Sequence, residues 1–211
     1  MNEQNPKNIA LKLSEWYCEQ DGTEPWLRVK DKKYVSMVSL LDKNSLDLKK
    51  ESDVFKLFTL ALNWNSRKYG RFAGGLSLFK QLYNTGFIDK IYNGERKFSD
   101  WKKIVGKTNA ADRIVRSYFY LREKWDEIYD DLMDLDNSEG ENYIDKIYGM
   151  FREGYRKEKT TPLKLKIFFV LRELRSQGIL NIDGKYCCIP DNNVCKMMQN
   201  IRLFDKERCS M

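Results

Sequence analysis

Residues 159–174 read Lys-Thr-Thr-Pro-Leu-Lys-Leu-Lys-Ile-Phe-Phe-Val-Leu-Arg-Glu-Leu. Thr160-Thr161-Pro162 supplies a hydroxyl for an N-cap and a proline for the first helical position, where its missing N–H costs nothing. Leu163, Leu165, Ile167, Phe168, Val170, Leu171 and Leu174 then predict a buried helix running to about Ser176. After a turn at Asp183-Gly184, the run Ile189-Pro190-Asp191-Asn192-Asn193 opens a further helix at about 192–201, with Asp191 at or beside its N-cap.

Working back from this pair, helical spacing recurs along the chain. Ile9, Leu11, Leu13, Trp16 and Tyr17 predict a helix over 8–20. Residues 26–41 fit either a hairpin turning at Lys30–Lys33 or a helix from about 34. Ser52 stands as the cap of a helix to about Trp64, and a polar, aromatic-bearing loop follows at 63–70. Further helices are expected at 71–84, at 99–105 behind Ser99, and at 109–130 behind Thr108. The last of these carries Ala111, Ile114, Val115, Tyr118, Phe119, Leu121 and Trp125, which is more than one apolar stripe and marks a central helix. A linker at 134–140 precedes a helix at 141–152. The fold class is therefore all-α: a single multi-helix domain over 1–211, its one option for strands being the small N-terminal hairpin.

Composition narrows the chemistry. Of 211 residues, 42% are hydrophobic and 33% charged, as in globular chains rather than disordered ones. No apolar run approaches the roughly 20 residues that cross a bilayer, and the first residues carry no secretory signal, so a cytoplasmic protein off the membrane is expected. The net charge is +7, which suits a polyanionic partner. It is unevenly spread: 126–145 is acidic, whereas 152–166 holds Arg152, Arg156, Lys157, Lys159, Lys164 and Lys166. The five cysteines make no CxxC and no paired framework, and read as free or buried thiols. Histidine is absent, which excludes histidine-activated nucleophiles, histidine-ligated zinc and histidine general bases. Catalysis is left to Lys, Asp, Glu, Tyr or bound Mg²⁺.

Taken singly, Asp191 is an ordinary cap and Lys159 an ordinary surface charge; the pair points further. Each stands at the start of one of two consecutive helices. Removing a base from DNA needs a nucleophile for the sugar C1′ and a carboxylate to offset charge growing on the ring. A lysine amine attacks only when neutral, and the neighbouring cations and helix dipole lower its pKa. An aspartate at a helix start stays ionised, as an electrostatic stabiliser must.

Lys159-Thr160, Lys166-Ile167, and Ile189-Pro190-Asp191 followed by Val194 resemble the helix-hairpin-helix DNA glycosylases, closest to the archaeal 8-oxoguanine N-glycosylase/DNA lyase branch. The resemblance covers roughly 53–201 in helix order, with the motif residues at 156–194. Gly149-Met150-Phe151-Arg152-Glu153-Gly154 replaces that family's hairpin signature. The resemblance implies Schiff-base chemistry on Lys159 assisted by Asp191, and no metal cofactor. It places a base-contacting role on Lys166 and a base-stacking aromatic near Tyr69, with Trp64 a second candidate. Arg156, Lys157 and Thr160 would hold phosphate. The implied partner is double-stranded DNA with a damaged base, most often 8-oxoguanine, met by a monomer; Lys159 and Asp191 would then flank one cleft. The alternatives are a glycosylase of the same fold for another modified base, a non-catalytic helical nucleic-acid-binding protein, and a protein-interaction module.

Overall fold

The computed structural model describes residues 46–63, 72–95, 97–105, 109–135, 140–158, 166–183 and 186. All of them fall in one compact unit, Leu41–Ile189; Met1–Leu40 and Pro190–Met211 group into another. The described part is all-helical, with no strand. The elements are α1 (Glu51–Leu62), α2 (Phe72–Asn84), α3 (Phe87–Tyr92), a 3-10 turn (Phe98–Trp101) leading into α4 (Lys102–Val105), α5 (Asn109–Glu123), α6 (Trp125–Met133), α7 (Gly140–Glu158) and α8 (Lys166–Ser176). The readings for 8–20, 26–41 and 192–201 lie outside the described residues.

The unit is built around α1. Every residue from Val54 to Leu62 is buried, so this helix is covered on all sides rather than along one stripe. It packs against α8, α3, α5 and α2, while α5, α6 and α7 pack on one another. Ser52 does not cap it. The N-cap is Lys50, in extended backbone with no side-chain cap, and Asp53 N and Val54 N donate to its carbonyl. Ser99 likewise lies inside the 3-10 turn, behind an N-cap at Lys97.

The structure differs from the sequence reading in three further places. The expected helix over 109–130 is broken at Lys124 (φ −100°, ψ 6°). The break aims Trp125 into the core: its ring meets Phe55 and Phe58 edge-on at 5.0 and 5.4 Å, and its Nε1 donates to Glu51 at 2.8 Å. The helix expected at 141–152 instead runs to Glu158. The stretch 149–154 that replaces the hairpin signature is thus helical throughout, and Gly154 is where the ring of Tyr120 passes, 2.9 Å from the place of a Cβ. The short α3 was not legible. It starts at Gly86, whose φ of 64° lets the chain reverse straight out of α2.

The C-terminus of α8 follows from its glycine. Gly178 (φ 70°) donates to Arg175 O, and Ile179 donates to Leu174 O, closing a Schellman-type end. No helix among the described residues is long and apolar enough to cross a membrane.

Candidate functional site

Helix α1 ends in polar chemistry. Its last carbonyls have no partner further along the helix. Asn63, at the C-cap, turns its side chain back on the helix: Nδ2 donates to Thr59 O at 2.7 Å and also to the Tyr118 hydroxyl on α5. Asn63 is 2% exposed, and its Oδ1 accepts no hydrogen bond among the described residues. Burial pushes the Tyr118 phenol far above its ordinary range, against the opposing pull of Asn63, so it stays a hydroxyl at any working pH.

The first residue of α8, Lys166, arrives at the same turn. Its Nζ donates to Leu62 O at 2.8 Å, and the residue is only 8% exposed. No carboxylate among the described residues pairs with it. The negative end of the α1 dipole favours a cation here, but removal of water is the larger effect. Burial pulls the amine down to about 7. Near neutral pH it therefore exists in substantial part as the uncharged amine, with N–H groups and a lone pair to offer.

The sequence-nominated residues divide sharply. Lys166 belongs to this buried cluster. Arg156 and Lys157 lie exposed on the last described turn of α7, and Lys157 is engaged by Glu153, whose carboxyl it holds below its usual range. Lys159, Thr160, Asp191, Trp64 and Tyr69 lie outside the described residues. Asn63 and Tyr118 are additions. Tyr118 reads in sequence as one more apolar position of a central helix, and Asn63 as the start of a loop. Their only signal is an Asn that closes the apolar run 54–62. No group of three or more His, Cys, Asp or Glu among the described residues is placed to hold a metal ion.

No protein-family model, no curated protein and no solved structure matches the chain.

Proposed function

We propose that this protein binds duplex DNA and excises a damaged base, an oxidised purine such as 8-oxoguanine, through lysine chemistry. In this reading the neutral Lys159 amine attacks the sugar C1′. The C1′–N bond to the base breaks, its electron pair leaves with the base, and the base takes up a proton. Opening of the sugar ring converts the adduct to a Schiff base, from which β-elimination expels the 3′ phosphate. Asp191 offsets the positive charge that grows on the sugar.

The observation that carries the reading is Lys166. Its bond to Leu62 O ties the start of α8, seven residues after Lys159, to the end of α1, two residues before Trp64. A buried amine poised near neutrality also suits hydrogen bonding to an uncharged base edge better than pairing with phosphate.

Borohydride trapping on duplex DNA containing 8-oxoguanine tests this reading. The full chain should form a covalent adduct and nick the strand. Lys159→Gln should lose both by at least about 10³-fold while still binding DNA. An adduct that survives Lys159→Gln but vanishes in Lys166→Met would move the nucleophile to Lys166. Binding without any adduct would leave a non-catalytic nucleic-acid-binding protein.

A further inference from the structure

The basic run that ends α7 is not the only cationic surface of the unit. Lys97, Lys102, Lys103 and Arg113 are all exposed, and none forms an ion pair among the described residues. They flank Arg116, whose guanidinium lies 4.4 Å from the centre of the Phe98 ring and is held by Asp112 at 2.7 Å. Phe98 also meets Phe119 edge-on at 5.9 Å. These contacts seat the 3-10 turn, and the lysines on either side of it, against the middle of α5.

The register of α7 brings its basic end towards the same place. Tyr143 OH donates to Ile128 O, and Lys146 pairs with Glu127 and Asp131 on α6. Further along α7, Tyr120 of α5 donates to Met150 O and covers Gly154. So α7 rises as the α5–α6 pair descends. Arg156 lies two residues beyond Gly154, about 3 Å further along the axis, towards the level of Arg116. Arg116 and Arg113 precede Tyr120 by four and seven positions and share its face of α5.

The opposite sign gathers elsewhere. On α6, at its C-cap and on the adjoining part of α7, Asp126, Asp130, Asp134 and Asp145 are exposed, and Arg122 at the end of α5 and Lys146 of α7 are taken up by acidic partners. We infer that Arg156, Arg116, Arg113 and the lysines at 97, 102 and 103 form one cationic band that lies along the phosphate backbone of duplex DNA. The inference rests on the nucleic-acid part of the reading above but not on its excision chemistry. Its role is to hold the duplex through charge alone: Arg116, paired with Asp112 and lying against Phe98, braces the band, while the other five cations are exposed and form no ion pair among the described residues, and such cations gain affinity by releasing counterions and read no sequence.

The test uses the full chain and an undamaged 20-base-pair DNA duplex, with binding followed by fluorescence anisotropy across salt. A triple variant, Lys102→Gln, Lys103→Gln and Arg113→Gln, removes three charges from the band. Lys49→Gln, Lys50→Gln and Lys90→Gln remove three elsewhere. The band variant should bind at least about 10-fold more weakly, and its slope of log affinity against log salt should shrink by about 2 to 3. The control should stay within about 2-fold, with its excision unchanged. Equal losses in the two variants, or none in the band variant, would overturn the band while leaving the proposed activity standing. A wild-type chain that binds no duplex at low salt would end both.

Discussion

Helix α1 meets two buried lysines, its own Lys56 at mid-helix and Lys166 of α8 at its C-terminus, and the two are held in opposite ways. Lys56, 9% exposed, meets Asp53 at 2.9 Å and Asp89 of α3 at 2.7 Å, with the Tyr83 ring 5.7 Å away. Burial presses its pKa down, but the hydrogen bonds and charges of Asp89 and Asp53 outweigh burial and hold the ammonium above its ordinary value. At the C-terminus Lys166, 8% exposed and set deeper than Lys56, donates to a backbone carbonyl with no carboxylate partner among the described residues, and burial wins. Burial by itself therefore says little about a lysine's role. A carboxylate partner makes the cation a structural tie between α1 and α3. A carbonyl partner leaves a destabilising, chemically available amine, the pattern expected of a functional position.

The comparison breaks most visibly in its dependence on pH. The folded-state pKa of Lys166 is about 7, below the 10.5 of the unfolded chain, so between these values the unfolded chain holds more protons. Its contribution to stability accordingly rises with pH through that window, by about 5 kcal/mol in all, and the penalty is fully present below pH 7. Lys166→Met should be more stable than wild type at pH 6 by several kcal/mol, less about 1 for the abandoned Leu62 carbonyl. Denaturant unfolding at pH 6 and pH 9 should show that gap closing as pH rises. A gap that stays constant would mean the amine is not held neutral.

Lys56 should behave in the contrary way. Its folded pKa is raised, so its contribution is complete below 10.5 and is lost only as pH climbs through the raised value. Lys56→Met strands Asp53 and Asp89, and should destabilise the protein by about 2 kcal/mol, discounted from a fully buried pair because Asp89 is partly exposed. The same two unfolding curves should give one value at pH 6 and pH 9.

The smallest effect belongs to the start of α1, which runs without a side-chain cap. Ser52→Ala should alter stability by no more than about 0.5 kcal/mol, as at an ordinary surface position. A loss near 1 kcal/mol, typical of a true N-cap, would restore Ser52 to the role its sequence suggests.

Helix periods and the surroundings of the two lysines differ in how far they could be read from sequence. Helix periods over 72–84 and up to Ser176 were legible, because apolar spacing is written within a few residues of itself. The run 54–62 was legible as a helix for the same reason. The basic character of 152–157 needed only composition, and Lys166 could be nominated from a local motif. What could not be read was the environment around these residues. The break at Lys124 depends on Trp125 finding Phe55 and Phe58, some seventy positions away. The joining of Lys97–Lys103 to Arg113 depends on Phe98 lying against α5. The state of Lys166 depends on a carbonyl 104 positions distant and on the helices that keep water from it. Residue order by itself determined the helical character of the described residues and the clustering of their cations. Tertiary structure decided which cation keeps its charge, because desolvation and partner distance are set by segments that meet only in the folded chain.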